Sequence, residues 1–283
     1  MKIGFIGAGR VGFSFGKYLT VSGLNVVGYY SKNYSDAYEA AQFTETCPFE
    51  NLAELINASD TLFITVPDNQ IQSVWDCIVK YPIKNKIICH FSGSVSSAVF
   101  SDRHTYGAYG CSIHPMIAFS DKYNAYRLLK GSFCTVEGDK EGLGVISELL
   151  LSLDISYKCI SPDDKGKYHT AASIASNSVV ALIQLSTELL CSCGFSEQES
   201  YQALESLAKN NINSIFEKGT IQALTGPVER CDTETVRKHM AVLSGNDLEL
   251  YKLLAYRLVE IAKRKNPNKD YMPIVQLLNC TYE

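Results

Sequence analysis

An apolar strand runs directly into a G-x-G-x-x-G turn at the N-terminus, and this feature constrains the fold more than any other. The turn is Gly7-Ala8-Gly9-Arg10-Val11-Gly12. In such a turn the first glycine permits tight bending, the second lets the backbone approach a pyrophosphate, and the third lets the next helix pack close to the sheet. The free N–H groups at the start of that helix then hold phosphates. The segment predicts a dinucleotide-binding βαβ unit; the alternative is a plain strand-to-helix turn.

Size and charge limit the classes of partner. The 283 residues are 46% hydrophobic, which suffices for two packed domains. The 26 basic and 30 acidic residues give a net charge of −4, and the cations are scattered, so no nucleic-acid partner is expected. We find no uninterrupted apolar run of about 18 residues, and the N-terminus is a core strand, so we expect a cytoplasmic protein without a membrane partner.

The ten cysteines do not form a recognisable metal-binding pattern. Cys89, Cys134 and Cys159 fall within predicted strands, where a free thiol behaves as a small apolar group. Cys191-Ser192-Cys193 lacks the C-x-x-C spacing, and Cys111 with His114 has no second ligand pair nearby. We expect no metal site.

Strands and helices alternate through the first half of the chain. Apolar segments at 24–30, 61–66, 86–91, 109–113, 132–136 and 155–160 predict strands that follow the first. This alternation is typical of a doubly wound, mostly parallel α/β sheet. We therefore predict a dinucleotide-binding domain of the Rossmann type over residues 1–160.

The remainder of the chain, residues 161–283, predicts an all-α domain for substrate binding and dimerisation. Ser161 is a candidate N-cap with Pro162 at the first helical position, beginning a helix that reaches about residue 191. Further helices are expected at 197–209, 211–223, from 232, and from 246 or 247 to 265. Residues 171–190 are apolar on most faces, so they should be buried within this domain or against a second subunit of a homodimer.

The end of the second strand indicates which dinucleotide binds. An NAD-binding domain usually places an acid there for the ribose 2′-hydroxyl. Here the residues are Tyr30-Ser31-Lys32-Asn33, and the first acid is Asp36, on the following helix. A hydroxyl and an ammonium suit a 2′-phosphate, and Arg10 could add a second positive charge. We predict NADP(H); the alternative is that Ser31 and Lys32 form an ordinary polar loop.

Three other strand ends should face the same cofactor, because ligands bind outside the carboxyl ends of the strands in this architecture. Val66-Pro67-Asp68 ends one strand. Ser92-Gly93 follows another and offers small groups that could approach the nicotinamide ribose. His114 ends a third, where the imidazole is either structural or a substrate-binding group.

Two polar features stand out in the helical part. His169, Ser173 and Asn177 recur at i, i+4 spacing and form a polar stripe on an apolar helix. They must pair with one another, with another helix or with a ligand. The second feature is the turn at residues 224–232, which brings Thr225 and Arg230 into one segment.

With these features the chain resembles uncharacterised proteins that join a Rossmann-like NADP-binding domain to a helical C-terminal domain of unknown function. They are distant relatives of pyrroline-5-carboxylate reductase, ketopantoate reductase and the deazaflavin-dependent NADP reductases. The resemblance covers nearly the whole chain. The residues that carry it are Gly7 to Gly12, Val66-Pro67-Asp68, His90-Phe91-Ser92-Gly93, His114-Pro115, Tyr168 to Ala172 with Asn177, Leu224 to Pro227, Arg230, Asp232, Thr235 and His239.

The resemblance implies an NADP(H)-dependent oxidoreductase that transfers a hydride between nicotinamide and a small carbonyl or imine substrate in an interdomain cleft. Ketopantoate reductase and the β-hydroxyacid dehydrogenases have a lysine four residues before an asparagine, whereas this chain has Ser173 before Asn177. Lys165 and Lys167 lie one or more helical turns away. The family also has glycine where this chain has Cys231, which leaves the local backbone conformation open.

We therefore expect His169 to donate a proton, since imidazole exchanges protons near neutral pH. Ser173 and Asn177 would orient the substrate, while Thr225 and Arg230 would bind its polar or anionic end. The missing lysine favours an alternative, a binding protein in which NADP(H) controls conformation without turnover. A metal-dependent enzyme using Cys111, His114 or His169 is the third possibility.

Overall fold

The computed structural model describes residues 1–280, and its contacts divide the chain into two compact units, one spanning Met1–Ala175 and one beginning at Ser176. Between the predicted strand region and the helical part, Ser161 accepts a hydrogen bond from the Asp163 N–H at 3.3 Å and starts a short 3₁₀ turn. Helix α6 (Lys165–Ser192) follows directly and crosses the boundary between the two units. The domain division at residue 160 stays a prediction.

The first unit is built on one eight-stranded sheet. Its strands are β1 (Ile3–Ile6), β2 (Val26–Tyr30), β3 (Cys47–Phe49), β4 (Thr61–Ile64), β5 (Ile87–His90), β6 (Tyr109–Pro115), β7 (Phe133–Gly138) and β8 (Ser156–Cys159). They lie in the order β3-β2-β1-β4-β5-β6-β7-β8, and every neighbouring pair is parallel except β6 with β7. The predicted doubly wound, mostly parallel fold is confirmed. The strand order reverses between β1 and β4, where ligands bind in such sheets.

Helices cover both faces of this sheet, which explains why its central strands are continuous apolar runs. They are α1 (Arg10–Val21), α2 (Tyr34–Thr44), α3 (Leu52–Ala58), α4 (Ile71–Ile78) and α5 (Lys140–Ser152). Phe15 and Leu19 of α1 belong to the core on one face. Leu55 of α3 and Trp75 of α4 belong to the core on the other.

Most predicted strands agree with the structure within two residues. The exception is β3, because Cys47-Pro48-Phe49 is too short to give a periodic pattern. Strands β6 and β7 extend to Pro115 and Gly138, two residues beyond their predicted ends at 113 and 136. The additional part of β7 contains Glu137, a buried acid that becomes important in the candidate site.

The second unit is entirely helical in its described residues. After α6 come α7 (Glu197–Ala223), α8 (Pro227–Arg230), α9 (Thr233–Ala241), α10 (Gly245–Lys265) and α11 (Met272–Asn279). Their buried core includes Val236, Met240, Val259 and Ile274. The expected break near residue 210 is wrong. α7 continues to a kink at Gly219, where φ is 78° and ψ is 161°, values open mainly to glycine. Helix α11 was not predicted.

The apolar middle of α6 is exposed, contrary to the expectation of burial within the second domain. Val180 is 69% exposed and Ile174 is 60% exposed. The segment Pro162–Ser192 is also long and apolar enough to cross a membrane by length and composition, with a mean hydropathy of 1.4. Scattered polar residues hid this property from a search for an uninterrupted run. The sequence analysis gave two ways to bury this apolar surface, within the helical domain or against a second subunit. The second subunit is kept as a proposal.

Candidate active site

The glycine-rich turn adopts the geometry that a pyrophosphate needs. Gly7 has φ of +100°, and a side-chain carbon on Gly12 would lie 2.5 Å from Oγ1 of Thr65. Thr65 in turn donates a 2.8 Å hydrogen bond to the Gly7 carbonyl and so joins the turn to the end of β4. A side-chain carbon on Gly9 would meet only the Thr65 carbonyl oxygen, at 3.6 Å. Gly9 is the N-cap residue of α1 and has no side chain to bond the first N–H groups of the helix. These N–H groups are therefore left for a ligand.

A cavity of about 490 Å³ lies against this turn. Seven predicted cofactor residues line it, namely Gly7, Ala8, Gly9, Ser31, Lys32, Val66 and Pro67. Sequence reasoning missed other lining residues, including Leu52 and Cys77, because α3 and α4 contribute them from outside the strand ends. The cavity joins a phosphate-binding turn to an apolar wall, an arrangement that fits a dinucleotide.

The charge at the end of β2 is mixed. Lys32 is exposed and lines the cavity, as the prediction of a 2′-phosphate requires. Asp36 lies on α2, as expected, but it also lines the cavity and accepts a 3.3 Å hydrogen bond from Asn33. Arg10, Val11 and Gly12 do not line the cavity, and Arg10 is exposed. A phosphate role for Arg10 stays a prediction.

Asp68 and Ser92 organise a loop at the end of β5. The Asp68 carboxylate accepts hydrogen bonds from the hydroxyls of Ser92 at 2.7 Å and Ser94 at 2.8 Å. The Ser92 hydroxyl oxygen also accepts a hydrogen bond from the Val95 N–H at 2.9 Å. These side chains therefore shape the loop that carries Gly93. Neither Asp68 nor Ser92 lines the cavity, although Asp68 directly follows two residues that do.

Two imidazoles converge on Gly93. A side-chain carbon at this position would lie 2.5 Å from Nδ1 of His169 and 2.8 Å from Nε2 of His114. The two rings are 5.8 Å apart with planes at 83°, and Nδ1 of His114 lies 2.7 Å from the hydroxyl of Tyr168. The structure thus brings together three predicted residues, His114, His169 and Gly93. It adds Tyr168, the neighbour of His169 on α6.

Lys165 lies buried beneath this cluster, with only 2% of its surface exposed. Its ammonium donates a 2.8 Å hydrogen bond to the Ser92 carbonyl and contacts the Ser112 hydroxyl. It also lies 3.8 Å from Oε1 of Glu137. The Glu137 carboxylate accepts hydrogen bonds from the N–H and the hydroxyl of Ser97, at 2.7 and 2.6 Å. A buried ion pair therefore connects the first turn of α6 to β7 and to the Gly93 loop.

Sequence reasoning placed Lys165 away from the chemistry, although two signals pointed to it. A cation in the first turn of a helix opposes the helix dipole and therefore needs a specific partner. Glu137 is an acid at the end of an otherwise uncharged strand, and buried acids are almost always paired. Either residue alone is ambiguous; pairing them requires the sheet order, which the sequence does not display.

Burial and positive charge keep the nearby imidazoles neutral. Burial and the ammonium of Lys165 lower the pKa of His114 to about 4, and they lower the pKa of His90 to about 4 as well. Geometry agrees for His90, because its Nδ1 accepts a hydrogen bond from the Ser92 N–H at 3.2 Å. Burial lowers the pKa of Lys165 to about 8, with Glu137 and Asp68 opposing this shift, so its ammonium form still prevails at neutral pH.

The remaining predicted residues are distributed over both units. Ser173 is half-buried in the first unit, whereas Asn177, Thr225 and Arg230 belong to the second and are exposed. Thr225 lines a second cavity of about 680 Å³ formed within that unit. Cys231 adopts a left-handed conformation with φ of 61°, which accounts for glycine at this position in the proteins that the chain resembles. Roles for these residues in substrate binding stay predictions.

Two sequence families match successive parts of the chain. Residues 2–91 match the family described as NADP oxidoreductase, coenzyme F420-dependent. Residues 132–258 match DUF2520, a domain of unknown function. The chain joins an NADP oxidoreductase domain to a DUF2520 domain. NADP(H) is the cofactor of the first domain, and the glycine turn, the cavity and Lys32 are the features of this structure that fit it.

Solved structures share this fold over nearly the whole chain. Protein TM1727 from Thermotoga maritima is 26% identical, with a TM-score of 0.74, covering 93% of this chain and 99% of the other. BF3122 from Bacteroides fragilis, described as an NADP oxidoreductase, is 22% identical with a TM-score of 0.73, covering 92% and 98%. Pyrroline carboxylate reductase from Plasmodium falciparum, with NADP bound, is 14% identical with a TM-score of 0.59, covering 94% and 96%. The comparison with curated proteins gives no match.

Proposed function

We propose that this protein is an NADP(H)-dependent oxidoreductase that transfers a hydride between the nicotinamide and a small carbonyl or imine substrate. The observation that carries the proposal is the convergence of Nε2 of His114 and Nδ1 of His169 on Gly93. The Asp68 hydrogen bonds tie the loop carrying Gly93 to the segment that lines the cofactor cavity. Proton-transferring groups thus belong to the same sheet edge as the nucleotide site.

The cofactor would supply or accept the hydride, and the protein would position the cofactor. Residues Gly7 to Gly12 hold the pyrophosphate through backbone N–H groups and the start of α1. Ser31 and Lys32 bind the 2′-phosphate. Glycine at position 93 leaves room for the two imidazoles, because any side chain there would strike them.

The protein supplies protons and orientation. In this proposal His169 donates a proton to the substrate atom that gains negative charge, and its exposure allows exchange with water. Ser173 and Asn177, at successive i+4 positions on α6, orient the substrate. Thr225 and Arg230 bind a polar or anionic end.

The test is a screen for NADPH oxidation with aldehydes, ketones, 2-oxo acids and cyclic imines. We expect turnover of one class, with a loss of kcat/KM in both His169→Ala and Asn177→Ala. His104→Ala is the matched control, because His104 is exposed and lies 3.4 Å from Asp139 instead. Unchanged kcat/KM in both test variants would remove these two role assignments.

The second candidate function is an NADP(H) sensor without turnover. The observation that favours it is Ser173 at the position where the resembling dehydrogenases carry lysine. Calorimetry would show tight NADPH binding in both cases. Binding without oxidation across the whole panel would favour the sensor.

We also propose a homodimer through α6 and α7. Exposed apolar side chains on these helices include Val180 and Leu207, and Phe216 is 86% exposed. A second copy of the chain fits this surface better than a lipid bilayer does, because the stripe of His169, Ser173 and Asn177 would be costly to place in hydrocarbon. A cytoplasmic location stays a prediction.

A further inference from the structure

The position of Lys165 has a chemical consequence for the substrate. Its buried ammonium lies against the Ser92 carbonyl, one residue before Gly93, and is fixed there by Ser112 and Glu137. In this low-dielectric surrounding the field of the ammonium is weakened less than in water, although the Glu137 carboxylate, 3.8 Å away, offsets part of it. That field favours negative charge and opposes positive charge beside Gly93.

Tyr168 is the hydrogen-bond partner of Nδ1 of His114. The hydroxyl of Thr135 hydrogen-bonds to Tyr168 and opposes the rise in the Tyr168 pKa that burial causes. The phenol hydroxyl lies 2.7 Å from Nδ1 of His114 and 3.5 Å from the His114 carbonyl oxygen, and the shorter contact lets it donate to Nδ1. A neutral imidazole whose Nδ1 accepts a hydrogen bond carries its proton on Nε2. Nε2 is the atom that faces Gly93.

We propose that the substrate is a neutral carbonyl compound rather than a cationic imine, that His114 Nε2–H donates a hydrogen bond to its oxygen, and that Lys165 is a positioning residue which keeps His114 in this form. The inference rests on the proposed function. In the reaction the hydride adds to the carbonyl carbon, and the π electrons move onto oxygen. The oxygen takes a proton from protonated His169, which regains one from water; NADPH becomes NADP⁺ and the carbonyl becomes an alcohol.

Burial is the main cause of the lowered pKa of His114, and among the charged groups around it Lys165 contributes most. On α6, Lys165 and His169 disfavour protonation of His114, whereas the Asp68 carboxylate, after β4, favours it. Tyr168 is raised in pKa and stays a neutral donor. Glu137 on β7 faces Lys165 and is further satisfied by Ser97. A protonated cyclic imine would add another positive charge to this side and would be bound less well than a ketone of the same shape.

A histidine titration by NMR tests the state of His114 without any substrate. The chain contains five histidines, so the signals can be assigned by single substitution. In the full-length protein, with and without NADP⁺, His114 should remain neutral down to about pH 4. In Lys165→Met the midpoint of the His114 titration should move up towards pH 6.5. In Glu137→Gln the midpoint should not rise. A wild-type midpoint near 6.5, or no rise in Lys165→Met, would overturn the role of Lys165.

The single variant could fail to fold, since it leaves Glu137 buried without its cation. The double variant Lys165→Met with Glu137→Gln removes both charges together and should show the same upward movement of His114. Lys165→Arg retains the charge and should hold the midpoint low. These variants separate loss of charge from loss of structure.

Matched substrates test the choice of class. Cyclopentanone and 1-pyrroline have the same ring size, and 1-pyrroline is a cation when protonated. Aldehydes and 2-oxo acids are tested as further carbonyl substrates. We expect kcat/KM with NADPH to be at least about tenfold higher for the best carbonyl compound than for the best imine, with a smaller ratio in Lys165→Met. Turnover confined to imines would overturn this inference and leave the proposed oxidoreductase standing. Oxidation of NADPH by neither class would overturn the proposed function and the substrate assignment together.

Discussion

A side-chain carbon on Gly93 would lie 2.5 Å from Nδ1 of His169, closer than real side-chain contacts allow. Gly93→Ala should therefore displace His169 and also His114, whose Nε2 would lie 2.8 Å away. We expect kcat to fall about tenfold or more, since loss of one transition-state hydrogen bond is worth at least about 1.4 kcal/mol. Steady-state kinetics with the best substrate of the screen measures this.

The control is Gly144→Ala on α5, where a side-chain carbon would meet nothing within 4 Å. Alanine in that helix should raise the free energy of unfolding by about 0.5–1 kcal/mol and leave kcat unchanged. Equal kcat values for Gly93→Ala and the wild type would contradict the placement of the two imidazoles at the reacting centre.

Lys32 should discriminate between NADPH and NADH. A charge-assisted hydrogen bond to a phosphate contributes about 1.5–3 kcal/mol, so Lys32→Ala should raise the Kd of NADPH by roughly ten- to hundredfold. The Kd of NADH should hardly change, because NADH lacks the 2′-phosphate. Fluorescence titration of both cofactors makes the comparison.

Two further variants sharpen that experiment. Lys32→Arg keeps the positive charge and should retain most of the NADPH affinity. Asp36→Asn removes an acid that lines the same cavity and should strengthen NADPH binding. An equal loss of NADPH and NADH affinity in Lys32→Ala would show that Lys32 shapes the loop and does not contact the phosphate.

The fold was predictable from the sequence because its signals are local. Gly7 and Gly12 lie between an apolar strand and a helix, and the following buried strands are short apolar runs between turn residues. Element ends were less predictable where tertiary contacts decide them. In α7 the kink lies at Gly219, whereas the sequence pattern predicted a break near residue 210. Strand β3 is too short to show the alternation of a strand.

The candidate site was predictable only in part. His114 and Gly93 follow strands, so their position at the carboxyl edge of the sheet follows from the architecture. Lys165 and Glu137 meet because β7 runs antiparallel to β6 and brings its last residues under the start of α6. The antiparallel direction of β7 cannot be predicted from the presence of a lysine and a glutamate in the sequence. The family resemblance directed attention to a lysine near Asn177, whereas the buried lysine lies three turns earlier on the same helix.

Two histidines should make stability depend on pH. His90 and His114 have pKa values lowered from 6.5 to about 4, so the unfolded chain binds more protons than the folded chain between those two pH values. The free energy of unfolding should therefore fall as the pH drops from 6.5 to 4, by up to about 1.4 kcal/mol per pH unit for each group. Urea unfolding at several pH values measures the slope.

Carboxylates with lowered pKa values, such as Asp139, change stability in the same direction at still lower pH, so a histidine variant is needed as control. His114→Asn should flatten the slope between pH 6.5 and 4 relative to the wild type. Parallel curves for the two proteins would show that His114 titrates normally in the folded state.

The exposed face of α6 and α7 should hold two copies of the chain together. Light scattering should give about twice the chain mass of 31.3 kDa. Val180→Glu places a charge at a position that is 69% exposed in the single chain and should yield a monomer with unchanged helix content. Leu151→Glu is the matched control, because Leu151 on α5 is 63% exposed but lies in the first unit, and it should stay dimeric. A monomeric wild type would contradict the proposal, and flotation of the protein with phospholipid vesicles would assign this apolar face to a membrane instead.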